Sequence, residues 1–314
     1  MLGAIVSDPA NSEFFWPTVV RVACLLGAGA VAVVVVERKR LAELRRSVLF
    51  QRVFSWVTMA PTFIAAIFVG GIVAFAVVAY LITQGLAEYA RLVGLDRRYA
   101  RMLLLTGLAT LALAGLLPEY FLFAPLVFFA LSTTLPIVTG EVDNAHRQVT
   151  ASLFGYIYLP FALSYLAVIK VVEPDGIQIL AFIGVAVALS DVLAFVVGSV
   201  FKGPKLAPRV SPNKTWAGVA GNIVGAFGAL GLMWFLVPEE WSGLTLMLAP
   251  VTIALASLWG DLLESFLKRD FGVKDAGDVL PGFGGLLDRI DSLLLALPLT
   301  YYVVLIAERY TTGA

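Results

Sequence analysis

The chain has 314 residues, 60% of them hydrophobic and only 14% charged, and its 22 basic residues balance 22 acidic ones. With a mean hydropathy of +0.91, this composition excludes an ordinary soluble domain, whose residues are about 25% charged, and predicts a multi-pass membrane protein. Zero net charge argues against a nucleic-acid binder with a broad basic face, while a single cysteine, Cys24, and a single histidine, His146, exclude an internal disulfide and the thiolate or multi-histidine metal sites.

Any metal must then be held mainly by oxygen, which favours magnesium, calcium or manganese. The first predicted element is a membrane helix over residues 17–36. Asp8 and Glu13 stand where a secretory signal carries positive charge, and "ERKR" at 37–40 follows the apolar run as a stop-transfer flank, so this helix is expected to be retained. Arg21 reads as a snorkelling helix-end residue. Residues 37–52, "ERKRLAELRRSVLFQR", read as a basic amphipathic helix on anionic headgroups. Residues 1–51 are thus expected to form an N-terminal addition to a polytopic domain over 52–314.

About 20 apolar residues cross a bilayer core as a helix. Further spans are expected at 53–69, 71–87, 103–117, 119–137, 150–171, 176–200, 216–236, 242–260 and 290–308, giving an all-α protein of about ten membrane helices. Gly70-Gly71 separates the second and third spans, and Pro118-Glu119 the fourth and fifth. With ten spans, segments 37–52, 84–102, 138–149, 201–215 and 261–289 fall on one side and hold 19 of the 22 Lys and Arg residues. The positive-inside rule makes that side cytoplasmic and leaves both termini outside the cell membrane. Glu141, Asp143 and His146 read as solvated surface residues on the basic side.

Two polar clusters share that side. Asp191 stands ten residues before the end of its span, on the order of 15 Å deep at 1.5 Å per residue, and an acid at that depth is a functional candidate by default. Beyond it come Lys202, Lys205, Arg209 and Lys214. In "SPNKTWAG", Ser211 is predicted to cap a helix with Pro212 at its first position. Lys214 and Thr215 would then sit at a helix N-terminus suited to an anion. Glu88, at the end of the third span, is a candidate for the same cavity.

The second cluster is the loop from Asp261 to Asp291. If the preceding helix runs past Gly260, then Asp261, Glu264, Ser265 and Lys268 share one helical face. Asp288, Asp291 and Ser292 form a second face where the last helix begins. Pro281, Gly282, Gly284 and Gly285 make a turn whose backbone N–H groups can approach a phosphate. Carboxylates from two helix ends beside lysines and such a turn are the parts of metal-assisted phosphate chemistry. The plainer reading, a solvated loop with helix-end charges, remains open at this point. No Walker A loop occurs. A secondary transporter would also bury an acid such as Asp191. Its charges would line a path across the bilayer, however, and it would show paired broken helices in two halves.

Residues 265–291, "SFLKRDFGVKDAGDVLPGFGGLLDRID", resemble the signature of the CDP-diglyceride synthases, or phosphatidate cytidylyltransferases. The matches are Ser265, Lys268-Arg269, Lys274-Asp275, Gly277, Leu280, Pro281, Gly284-Gly285, Asp288-Arg289 and Asp291. Asp191, Gly198 and Ser211 to Gly218 echo further segments of the family, as does Glu88, and the similarity covers roughly residues 52–308. The resemblance implies that CTP and phosphatidic acid give CDP-diacylglycerol and pyrophosphate. It assigns catalytic roles to Asp288, Asp291, Lys274 and Asp275, and metal binding to Asp261, Asp288 and Asp291, with Asp191 and Glu264 as further candidates. Phosphate binding falls to Ser211, Lys214, Thr215, Ser265, Lys268, Arg269, Gly284, Gly285 and Arg289. The implied cofactor is magnesium, as one ion or with a second cation. The implied partners are CTP, phosphatidic acid or a related lipid phosphate, and membrane lipids, with a homodimer left open and no nucleic acid. Two departures stand out: Phe283 replaces the signature histidine and Phe195 an expected tyrosine. They leave two alternatives, another lipid phosphate as substrate or a non-catalytic lipid-binding relative.

Overall fold

Glycine and proline divide an almost continuously apolar sequence into helices in the computed structural model, which describes residues 9–36, 48–273 and 285–312. The first four helices are α1 (Phe15–Val36), α2 (Val48–Phe68), α3 (Gly71–Val93) and α4 (Arg97–Leu116). The corner between α2 and α3 turns at Gly70 with a φ of 118°, which a residue with a Cβ resists. Helix α4 stops before Leu117-Pro118, because a residue ahead of proline is driven out of the helical region. A 3-10 turn, Pro118–Phe123, then leads into α5 (Ala124–Thr139).

Next come α6 (Ala145–Tyr156) and α7 (Ala162–Val172), joined by one turn of π-helix, Ile157–Phe161, that contains Pro160. Proline lacks an N–H and its ring crowds the preceding turn, so a locally widened helix accommodates it. Helix α8 (Gly176–Phe201) is followed by a short antiparallel hairpin of β1 (Lys205–Ala207) and β2 (Ser211–Thr215). The chain then continues through α9 (Trp216–Leu232), α10 (Gly243–Asp270) and α11 (Leu287–Thr312).

Among the described residues, eight helical stretches are long and apolar enough to cross a membrane, and two shorter apolar helices, Trp56–Phe68 and Trp216–Leu232, fall where the other two spans were expected. The protein is all-α and polytopic. Leu105, Leu126, Ile137, Val200, Met247 and Ile306 point outward and are exposed, as they would be against lipid rather than water.

One local expectation is corrected. Ser211 does not begin a helix; it pairs with Ala207 in the hairpin, and Lys205 lies opposite Thr215. The cap of α9 is Thr215, whose hydroxyl accepts from the Gly218 N–H at 3.1 Å. Ser211 precedes Pro212, which favours extended backbone, so the helix starts four residues later than the sequence suggested.

Glycines decide how closely the helices meet. A Cβ on Gly221 of α9 would lie 2.5 Å from the Leu193 carbonyl oxygen of α8, and one on Gly225 would lie 2.6 Å from that of Leu189. At the α10–α11 contact, a Cβ on Gly260 would stand 2.2 Å from the Asp291 carbonyl oxygen. Lipid offers helices no hydrophobic drive to associate, so close backbone contact of this kind holds them together. Gly260→Ala is therefore expected to cost about 1–3 kcal/mol by overpacking. A thermal melt in detergent reads this, with Gly115→Ala as control, since no atom lies within 4 Å of the Cβ position there.

Charged caps tie helix ends together across long sequence separations. Lys170 of α7 donates to the Ala66 and Ile67 carbonyls at 3.1 and 2.6 Å, where α2 ends. Glu308 of α11 accepts from the Ser242 N–H at 2.8 Å and from the Thr245 hydroxyl, where α10 begins. The signs suit the helix dipole, a cation at a C-terminus and an anion at an N-terminus.

Candidate functional site

Helix α10 runs on to Asp270, so Asp261, Glu264, Ser265 and Lys268 do share one face. Lys268 Nζ donates to Glu264 Oε2 at 2.8 Å, one turn back on the same helix, and to Asp288 Oδ1 at 2.5 Å on α11. Its side chain is 12% exposed, and charges this sheltered are screened little by solvent. Asp261 Oδ2 accepts from Lys214 Nζ of β2 at 2.6 Å, and Oδ1 from the Ser265 hydroxyl at 3.4 Å. The two lysines thus link the hairpin to α10 and α10 to α11.

The start of α11 is held by carboxylates. Glu88 of α3 is fully buried and accepts from the backbone N–H groups of Leu286 and Leu287 at 2.9 and 2.8 Å. Asp288 Oδ2 accepts from the Gly285 N–H at 2.8 Å. A helix begins with N–H groups lacking partners, and anions both satisfy them and match the dipole. Glu88, whose place in the site the sequence left open, anchors the helix that presents Asp288 and Asp291.

Asp291 lies deeper, only 7% exposed, with Oδ1 accepting from the Ser292 N–H at 2.7 Å. Asp261 and half-buried Asp191 of α8 are close enough to act on it electrostatically. Glu264 is likewise within range of both Asp291 and Asp288. Asp191, Asp261, Glu264, Asp288 and Asp291, from three helices, therefore form one electrostatic network, with Lys214 on Asp261 and Lys268 on Glu264 and Asp288.

The all-oxygen donor set and its excess of acids suit a hard divalent cation in chemistry and charge, and Glu264 Oε1 is a buried oxygen with no hydrogen-bond partner among the described residues. In the observed arrangement the lysines occupy carboxylate oxygens, and among the described residues no three acids stand as a ready ligand set.

The remaining sequence candidates divide. Arg269 donates to the Val210 carbonyl at 3.4 Å and to that of Val273 at 3.4 Å, tying α10 to the hairpin and not to the acids. Thr215 is buried as the cap of α9, and Ser211 lies at the far end of β2 from Lys214. Arg289 follows Asp288 in the first turn of α11 and is half-buried. Lys274, Asp275, Phe283 and Gly284 lie outside the described residues, as does most of the basic segment 37–52.

Sequence reasoning missed Tyr158 and Asn222. Tyr158 stands in the π turn within electrostatic range of Asp291, Glu264, Asp261 and Asp288. Asn222 of α9 is buried, with its Nδ2 3.5 Å from the Ser257 hydroxyl of α10. The available signal was a polar side chain inside an apolar span, the criterion that singled out Asp191.

A sequence model of the cytidylyltransferase family matches residues 50–307. Phosphatidate cytidylyltransferase of Brucella abortus is 41% identical over 149 residues, which is 47% of this chain and 54% of the relative. The uncharacterized protein YnbB of Escherichia coli is 33% identical over 189 residues, 59% of this chain and 63% of the relative. Phosphatidate cytidylyltransferase of Rickettsia bellii is 30% identical over 168 residues, 51% of this chain and 72% of the relative. The chain spans about half the length of the Brucella relatives that it matches.

Proposed function

The chain belongs to the cytidylyltransferase family, and from that premise we propose that it transfers the cytidylyl group of CTP to phosphatidic acid, giving CDP-diacylglycerol and pyrophosphate. The observation that carries this reading is the pair of lysines, Lys214 and Lys268, each anchored on carboxylates at one end of a membrane bundle. The substrate assignment also draws on what the Brucella and Rickettsia relatives are named for.

In the proposed reaction an oxygen of the lipid phosphate bonds to the α-phosphorus of CTP while the bond from that phosphorus to the β-bridging oxygen breaks. A phosphate monoester is largely ionised at neutral pH, since its second pKa is about 6, so no strong general base is needed. The chain's task is to position two anions and neutralise the charge that builds on the leaving pyrophosphate. Lys268 has three N–H donors and uses two on Glu264 and Asp288; the third is available to a phosphate oxygen. Lys214 uses one on Asp261. Because carboxylates hold both ammonium groups in place before substrate arrives, little reorganisation accompanies charge transfer.

Asp191, Asp261 and Asp291 would hold magnesium, with Asp288 and Glu264 beside them. Bound there, the ion would draw phosphate oxygens together and stabilise their charge. A site at the end of the bundle lets acyl chains stay in lipid while the headgroup meets a water-borne nucleotide. By the distribution of Lys and Arg, that end faces the cytoplasm across the cell membrane, with both termini outside.

The test is a panel of lipid phosphates and nucleotides supplied with magnesium to the full-length protein in proteoliposomes, with pyrophosphate release and lipid products measured. Release with CTP and phosphatidate is expected. Release only with an isoprenoid or ether-lipid phosphate would move the substrate, and no release with any pair would overturn the enzyme reading.

A further inference from the structure

The π turn at Ile157–Phe161 packs against α3, α4 and α11, and such turns within α-helices occur often at functional sites. Here it is clamped from two sides. A Cβ on Gly107 of α4 would lie 2.8 Å from the Pro160 Cβ, and one on Gly85 of α3 would lie 3.2 Å from a Leu159 methyl. The Tyr158 ring rests beside Phe154, centroids 5.6 Å apart. Phe154 stacks in turn on Tyr89, whose hydroxyl donates to the Ala151 carbonyl at 2.7 Å.

Tyr158 is 3% exposed, and its hydroxyl has no hydrogen-bond partner among the described residues. A buried hydroxyl without a partner is unfavourable, and phenylalanine would fill the same space without that penalty. The acids nearest in effect are those of the functional site, Asp291 first and Glu264 second. The Tyr158 hydroxyl is thus a donor without a partner among the described residues, in range of a cluster of acids. A ligand that brings a strong acceptor into the cluster would satisfy the hydroxyl. A phosphate held by Lys268 is such a ligand, because its charged oxygens accept strong hydrogen bonds.

We propose that the Tyr158 hydroxyl donates a hydrogen bond to a substrate phosphate oxygen, making Tyr158 a catalytic residue supplied by the π turn. This rests on the phosphoryl-transfer reading above. Tyr158→Phe removes one oxygen atom and is expected to lower kcat about 10- to 100-fold, the loss of one donor to a charged acceptor. Its melting temperature without ligand is expected to equal or exceed that of the wild type. A lower melting temperature would mean that the hydroxyl serves the fold and would overturn the proposal.

A second readout is the rise in melting temperature caused by pyrophosphate with magnesium, expected to be smaller in Tyr158→Phe. In a wild type that turns over CTP and phosphatidate, an unchanged kcat in the variant overturns the role of Tyr158 and leaves the reaction standing. In a wild type that turns over no substrate pair, the pyrophosphate shift decides. A shift diminished in the variant sustains the phosphate contact without the reaction, and an equal or absent shift ends it.

Discussion

Asp291→Asn is expected to lower CTP-dependent pyrophosphate release about 10²- to 10³-fold, the scale of losing one preorganised electrostatic group in a sheltered site, while the chain stays folded. Asparagine has nearly the same shape, and its side-chain oxygen can still accept from the Ser292 N–H that Asp291 engages at 2.7 Å. The substitution also takes one carboxyl out of a group in which Asp261 and Asp191 act on Asp291 electrostatically, so it adds no repulsion among the acids and the melting temperature is expected to hold. Stability kept and activity lost would place Asp291 in the reaction. Turnover within a factor of two of the wild type would remove it from the site. The paired measurement matters because Asp291 is buried, and for a buried residue activity alone does not separate chemistry from folding.

Lys268→Met has the opposite signature, a large loss of stability. Lys268 is the shared partner of Glu264 and Asp288, at 2.8 and 2.5 Å, and these side chains are 2% and 13% exposed. Removing one member of a buried ion pair leaves its partners desolvated and without a counter-charge, at a cost of about 3–5 kcal/mol. Denaturant unfolding of Lys268→Met should show that loss. Adding Glu264→Gln and Asp288→Asn to Lys268→Met should restore most of it, because no buried charge is then left without a partner. The triple variant should still release no pyrophosphate. If Lys268→Met unfolds like the wild type, the two carboxylates draw on another cation and the network is not built around Lys268.

Such a network is local only in part. The Glu264–Lys268 bond joins neighbouring turns of one helix, so spacing in the sequence predicts that they can meet. The bond from Lys268 to Asp288 crosses 20 residues, and that from Lys214 to Asp261 crosses 47. Nothing in a helical period says which lysine will reach which acid. The hairpin illustrates a different failure. "SPNKT" carries a plausible helix-start pattern, yet Pro212 biases Ser211 toward extended backbone and pairing with Ala207 then decides. Two local preferences competed, and a contact between strands settled them.

The features legible in one dimension follow from solvent and helix geometry. Apolar runs of membrane length, broken by glycine and proline, mark the helices because an unpaired backbone group is not tolerated in lipid. The gathering of Lys, Asp and Glu at one set of helix ends marks the functional face, because charge is expensive inside the bilayer. Glycyl and acidic residues at fixed intervals over 265–291 mark the family. Folding in three dimensions fixed the rest: that Glu88 caps α11 from 198 residues away, that a π turn puts Tyr158 within electrostatic range of the acids, and that Gly260 lets α10 and α11 close on Asp291. Those contacts depend on how helices cross. Helix crossing is set by small residues and buried polar atoms acting through space, which one-dimensional spacing does not encode.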